Sequence, residues 1–192
     1  MTGNTAPLLA FEALACPGCE RPLSFTLRPG LSLVRGGEQR GKTRLLGLIA
    51  AAAAARGLSC CHADPSDPAE DETPARAWLA AQQARAGTRW HEAGAADLVE
   101  AFALGEHLDK RLRMLSAGSR RKLGLVAAAA SGAALTLLDQ PYAALDARSG
   151  RLLSELLAEA AEGRERAWVL ADYELPSGLT GGALAARIEL GD

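Results

Sequence analysis

Aromatic side chains make up only 4% of this 192-residue sequence. Leucine, valine and alanine must therefore fill the core, which a chain of this length can bury without covalent staples. Cysteine is scarce as well: Cys16, Cys19, Cys60 and Cys61 do not form a secreted disulfide framework. Cys16-x-x-Cys19 beside the adjacent Cys60-Cys61 is equally poor as a zinc site, which wants two well-spaced pairs. An excess of one charge is missing, with 21 basic against 23 acidic residues and a net charge of −2. That balance supplies no basic face for nucleic acid. The N-terminus has no basic segment followed by an apolar block, so no signal peptide is expected. Nor does any apolar run reach the roughly 20 residues of a membrane-spanning helix. Leu45–Ala55 is too short. The sixteen residues Leu123–Leu138 contain Ser131, Gly132 and Thr136 and read as a helix end, a turn and a buried strand.

What remains is an ordinary globular composition, 48% apolar and 23% charged, in a length that suits one domain with at most a small insertion. Leu8–Leu14 is apolar enough for a first strand, and Cys16–Pro22 reads as a turn. Leu23–Leu27 and Leu31–Arg35 both alternate and flank Arg28-Pro29-Gly30, which predicts a hairpin feeding a core strand. Leu- and Ala-rich Lys42–Arg56 predicts a helix that Gly57 stops. Leu58–Ala63 is a short candidate strand. Asp64–Pro74 holds three prolines and a dense set of acids and reads as a loop. Helices are expected over Ala75–Arg85, Ala95–Leu104, Ser119–Ala130 and Ser149–Ala161. Strands are expected over Leu135–Leu138, Ala167–Ala171 and Ala186–Leu190. Alternating strands and helices with a mostly helical stretch between about residues 75 and 130 predict an α/β sheet core carrying a helical insertion.

Two motifs carry chemistry. Gly36-Gly37-Glu38-Gln39-Arg40-Gly41-Lys42-Thr43 fits the P-loop pattern, and it lies between a predicted strand and a predicted helix. Glycine lets backbone N–H groups converge on phosphate, and the helix N-terminus faces the anion. Lys42 would reach the β- and γ-phosphates of ATP, and the Thr43 hydroxyl would bind Mg²⁺. The alternative is a glycine-rich turn before an Ala-rich helix. Leu135-Thr136-Leu137-Leu138-Asp139 has the Walker B form, a buried strand that delivers Asp139 to the same metal ion. Gln140 follows where a base for the attacking water would sit. A glutamine cannot take that proton, although it can orient a water.

Leu115-Ser116-Ala117-Gly118-Ser119-Arg120-Arg121-Lys122 lies between these two motifs. With them it completes an order that resembles the ATP-binding cassette (ABC) family. The segment is similar to that family's signature, matching at Leu115, Ser116 and Gly118 and departing at Ala117 and Ser119. Pro141-Tyr142-Ala143-Ala144-Leu145-Asp146 resembles its D-loop. The resemblance spans about Leu23 to Asp172. Leu-Ser-Ala-Gly near Arg-Arg in a short chain is similar to the ATP-binding subunits of cytochrome c haem exporters in particular.

The resemblance implies a P-loop NTPase fold over residues 1–192, with a helical subdomain at about 73–118 and a reduced antiparallel β-subdomain. It implies a head-to-tail dimer, homomeric or heteromeric, in which ATP and Mg²⁺ lie between the P-loop of one subunit and Ser116, Ala117 and Gly118 of the other. The assembly would drive a membrane permease from the inner face of the cell membrane, as a peripheral cytoplasmic subunit. Tyr173 stands where the family has its switch histidine, and a phenol cannot share a proton near neutral pH as imidazole does. Ala63 falls at the place of the Q-loop glutamine, beside His62. Twenty positions separate Lys42 from His62, too few for the family's extra antiparallel strands. No aromatic lies between Phe11 and Phe25 to stack an adenine. Gln39 holds a position that is often glycine, and Glu38 brings a negative charge near phosphate. With Gln140 and Tyr173 in the hydrolytic positions, the expectation is ATP binding with weak turnover. The alternative is a regulatory or inert-partner nucleotide-binding subunit of a heterodimeric or non-transport ABC assembly, one that does not hydrolyse ATP. The acids Asp64, Asp67, Glu70, Asp71 and Glu72 read as a solvated loop or a partner surface. Arg111, Arg113, Arg120, Arg121 and Lys122 read as a positive field for nucleotide.

Overall fold

Residues 6–19, 21–175, 179 and 184–191 are described by the computed structural model. Residues 1–5, on which the signal-peptide expectation falls, lie outside the described residues, as does residue 20 within the expected Cys16–Pro22 turn. The strands are β1 (Leu9–Leu14), β2 (Leu23–Leu27), β3 (Gly30–Arg35), β4 (Cys60–Cys61), β5 (Leu135–Asp139), β6 (Ala167–Asp172) and β7 (Leu184–Glu189). The helices are α1 (Lys42–Ala55), α2 (Ala75–Ala86), α3 (Glu92–Ala101), α4 (Ala117–Ala130) and α5 (Ala147–Glu162). Short 3₁₀ turns lie between them, one of which, Pro68–Glu70, orders part of the acidic loop.

The chain divides into two compact units. The first is built from Met1–Cys60, Ala134–Pro141 and Ser154–Asp192. It holds a five-stranded sheet of order β4-β5-β6-β3-β7. The pairings β5–β6, β6–β3 and β3–β7 are parallel. Parallel strands covered on both faces need continuous apolar runs. Accordingly Gly30–Val34, Leu135–Leu138 and Ala167–Ala171 are all buried. Leu45, Leu46, Ile49 and Ala53 of α1 are fully buried and belong to one core cluster with Leu135, Leu137, Val169 and Ile188. This spacing along the helix is one apolar face turned to the sheet.

The expected hairpin of Leu23–Leu27 with Leu31–Arg35 does not form. β2 pairs antiparallel with β1 in a separate two-stranded sheet, where Phe11 and Phe25 stack with centroids 4.7 Å apart. β3 instead enters the parallel sheet. Both hydrogen-bonding edges of β3 are taken, by β6 and β7, so none is left for β2; Gly30, at φ +104, turns the chain out of the small sheet. The expected strand Leu58–Ala63 shrinks to Cys60–Cys61.

The second unit comprises Cys61–Ala133 and Tyr142–Leu153. Trp78 is its largest fully buried side chain, and its indole N–H donates to Glu70 at 2.5 Å. Within this unit part of the acidic cluster pairs with part of the basic one. Glu72 pairs with Arg111 (2.5 Å) and Arg113 (2.6 Å), and Asp71 pairs with Arg120 (3.0 Å). Arg111, Arg113 and Arg120 thus pair with acids of their own unit. Among the described residues no helix is long and apolar enough to cross a membrane.

Leu46, with 0% exposure, tests the packing of α1 on the sheet. Leu46→Ala should cost about 2–5 kcal/mol in urea unfolding, and Leu46→Met less than about 1.5 kcal/mol.

Candidate functional site

Register brings the chemistry to one edge of the sheet. Arg35 at the end of β3 lies opposite Asp172 of β6, and Asp139 at the end of β5 lies opposite Ala171. The carboxyl ends of these strands are therefore level, which is where open α/β sheets bind ligands. The loop 36–41 leaves β3 at this edge and α1 begins at Lys42.

The loop is held from behind. Gly36 packs so closely that a Cβ would come within 2.9 Å of the Leu190 Cβ, and the Gly37 N–H donates to Gly191 O at 3.1 Å. Gly41, at φ +87, would place a Cβ 2.8 Å from Pro17 O. Gly41 also N-caps α1 and brings no side-chain hydrogen bond to its N-terminus. The first-turn N–H groups of a helix have no intrahelical acceptor, so this terminus suits an anion. Gln39 adopts φ +58, a left-handed conformation that favours glycine.

A cavity of about 400 Å³ is lined by Gln39, Arg40, Gly41, Lys42, Thr43, Arg44 and Gln140, within the usual range for small-molecule sites of roughly 300–1,000 Å³. Lys42 is only 4% exposed. Its ammonium donates to the carbonyls of Gly36 and Gly37 at 2.6 Å each and lies 4.1 Å from the centroid of the Tyr173 ring. Tyr173 thus presents its ring face to the loop lysine. The Tyr173 carbonyl accepts from Arg35 Nε at 3.3 Å. Thr43 Oγ1 donates to Asp139 Oδ2 at 2.5 Å. A hydroxyl and a carboxylate brought together are hard oxygen donors, the set that suits Mg²⁺ with few protein ligands. Gln140 follows at φ +44, its N–H donating to Ala171 O at 2.8 Å.

The signature-like segment lies in the second unit. Ser116 N-caps α4, its Oγ accepting from the Ser119 N–H at 3.0 Å. A Cβ on Gly118 would stand 2.6 Å from Ala144 O, so only glycine allows the Pro141–Asp146 turn to lie on this helix start. Asp146 accepts from Lys122 Nζ at 2.7 Å and caps α5 through the Ser149 N–H and hydroxyl at 2.9 Å each. The Lys122 bond, then those from Ser149, hold its carboxyl well below the usual carboxylate range.

Of the residues expected to hold nucleotide, Gln39 to Thr43 line the cavity. Gly36 and Gly37 act through their carbonyls, and Glu38 is exposed. Asp139 meets Thr43 and Gln140 lines the same cavity. Arg44 also lines it and was not anticipated. The turn expected within Cys16–Pro22 forms over Cys16–Cys19, and its packing against the loop is a contact that the local sequence pattern does not show.

This arrangement, a P-loop at the carboxyl edge of a parallel sheet with a separate helical unit, defines an ABC-type cassette. Solved ABC cassettes share the fold. One, the ATP-binding subunit of an ABC transporter, superposes with a TM-score of 0.67 at 17% identity, over 86% of this chain and 79% of its own. A dimeric bacterial ABC transporter cassette gives 0.64 at 15% identity, over 89% and 85%. No protein-family model matches the sequence. The chain belongs to the ABC transporter ATP-binding proteins. Within them it is similar to the cytochrome c biogenesis ATP-binding export protein CcmA of Hyphomonas neptunium, at 36% identity over 174 residues, 82% of this chain and 86% of that protein. CcmA of Ruegeria pomeroyi is 34% identical over 134 residues, 65% of this chain and 63% of that protein.

Gly118→Ala should push the Ala144 carbonyl away and loosen the Lys122–Asp146 pair. Overpacking of this kind costs about 1–3 kcal/mol. Urea unfolding should show that loss, and hydrogen exchange should show faster exchange at the Ser149 amide.

Proposed function

We propose that this chain is the ATP-binding subunit of an exporter that serves cytochrome c biogenesis, and that it binds Mg-ATP with weak hydrolysis. The Mg-ATP part of this reading rests on the 2.5 Å contact of Thr43 with Asp139 beside a cavity lined by Lys42 and Thr43, and the exporter part on the similarity to CcmA. Lys42 would exchange its two loop carbonyls for phosphate oxygens. Thr43 and Asp139 would hold Mg²⁺, which when bound neutralises charge on the phosphates. The loop segment Gly36–Gly41 would wrap the polyphosphate. Residues 1–192 form one cassette in this reading, with residues of about 73–118 as its helical subdomain.

The partners follow from the same reading. Two cassettes, identical or not, pair head to tail, and Ser116, Ala117 and Gly118 of one close on the γ-phosphate held by the other. Ser116 would then offer its hydroxyl while its helix start faces the anion. The pair docks peripherally on a membrane permease at the cytoplasmic side. Weak hydrolysis follows from Gln140, which stands where a general base would act and cannot accept a proton, and from Tyr173, which offers Lys42 a ring face in place of an imidazole. Those same two residues favour the second reading, a nucleotide-binding subunit whose partner performs the hydrolysis.

Calorimetry should detect Mg-ATP binding by the wild type and a loss of at least tenfold in affinity for Lys42→Ala. Thr43→Ala should lose affinity for Mg-ATP and leave binding of metal-free ATP nearly unchanged. Absence of any binding at millimolar nucleotide would overturn the reading. In single-turnover hydrolysis Gln140→Glu should raise the rate, with general base catalysis contributing about 10²–10⁴-fold. An unchanged rate would remove Gln140 as the cause of weak turnover.

A further inference from the structure

The nucleotide reading makes no use of Cys16 and Cys19, yet the turn that carries them is built against the phosphate loop. The Cys19 N–H donates to the Cys16 carbonyl at 3.0 Å, and between them stand Pro17 and Gly18, the latter at φ +98. Proline followed by a positive-φ glycine is the type II turn combination. The turn touches the loop at several points. A Cβ on Gly18 would lie 3.3 Å from both Gln39 O and Gly41 N, and Arg44 Nη1 donates to Pro17 O at 3.4 Å. The sulfurs reach the two carbonyls that precede Lys42: Cys19 Sγ lies 3.8 Å from Arg40 O, and Cys16 Sγ lies 3.9 Å from Gly41 O. A thiol is a weak donor, and here two thiols brace consecutive peptide planes of the loop.

The same pair is suited to oxidation. Both cysteines are free. The ends of a β-turn have Cα atoms less than about 7 Å apart, and a disulfide asks for about 4.4–6.8 Å. Cys16 is buried, while Cys19 is half-buried and open to a small reagent. Burial, then the hydrogen bond and charge of Cys19, push the Cys16 thiol up to about 11. Cys16 is therefore the protonated partner and Cys19 the accessible one.

We propose that Cys16 and Cys19 are a reversible dithiol–disulfide site whose oxidation reshapes the phosphate loop and weakens its grip on nucleotide. The oxidant is a small-molecule disulfide. Cys19 gives up its proton, attacks one sulfur of the oxidant and expels a thiolate, which takes up that proton. Cys16 then gives up its proton, attacks the Cys19 sulfur and expels the second thiol. The protein loses two hydrogens as two protons and two electrons, and one disulfide becomes two thiols. Both S–H donors to Arg40 O and Gly41 O disappear; Gly41 O keeps its bond from the Leu45 N–H at 2.8 Å, so the change falls on the Arg40 peptide plane and on the contact of Pro17 and Gly18 with the loop. The effect on nucleotide rests on the function proposed above; formation of the disulfide does not.

The test uses the full chain and a Cys60→Ser/Cys61→Ser variant, equilibrated in glutathione and glutathione disulfide mixtures. Peptide mass spectrometry should find two hydrogens lost between Cys16 and Cys19. Hydrogen exchange at the amides of residues 40–43 should speed up on oxidation. Affinity for Mg-ATP should fall at least fivefold and return with dithiothreitol. Cys19→Ser should respond to oxidant in none of these ways. If no disulfide maps to the pair at any glutathione ratio, the proposal fails. It fails equally if the disulfide forms and neither exchange nor affinity changes. Should the reduced protein bind no nucleotide while oxidation still alters exchange at residues 40–43, the nucleotide reading fails and the thiol site stands.

Discussion

Parallel pairing of β5, β6 and β3 in one register is the constraint on which the rest depends. Asp139 stands opposite Ala171 and Arg35 opposite Asp172, so three strands end at one level. The loop 36–41, the carboxylate of Asp139 and the ring of Tyr173 all leave from that level. A slip of one residue would turn each strand's side chains to the other face. It would also break up the buried set of Leu33, Val34, Leu137, Leu138 and Val169. The apolar core therefore enforces the register, and the register brings Thr43 within 2.5 Å of Asp139.

Around that edge the charges are balanced locally. A buried ammonium is tolerated only when it is well partnered, and Lys42 has two loop carbonyls at 2.6 Å and the face of Tyr173. The basic loop residue is thus satisfied by the loop itself. In the second unit the more buried Arg120 and Lys122 pair with Asp71 and Asp146, while Arg111 and Arg113 meet Glu72 at the surface. In both places glycine allows the close approach that makes the arrangement possible: Gly41 under Pro17 and Gly118 under Ala144.

Much of the fold was legible before the structure. The buried strands read as apolar runs because both their faces are covered, and α1 read as a helix because Leu and Ala dominate Lys42–Ala55. The P-loop and Asp139 were recognisable because phosphate chemistry demands particular residues at a fixed spacing. The strand partners were not legible. Alternation in Leu23–Leu27 and Leu31–Arg35 suits a hairpin as well as it suits two strands in different sheets. Local pattern carries no information on which edge a strand will meet. The pairing of the acidic loop with the arginines was hidden for the same reason, since Asp71 and Arg120 are 49 positions apart.

By itself the sequence determined the α/β class, the P-loop motif and the glutamine that follows Asp139, because each depends on residue type and near-neighbour spacing. Tertiary structure alone decided that Tyr173 covers Lys42, that Thr43 meets Asp139, and that the Cys16–Cys19 turn presses on Arg40 and Gly41. Such contacts join segments far apart in the chain. They exist only once burial of the sheet has chosen one register and brought the segments to the same edge.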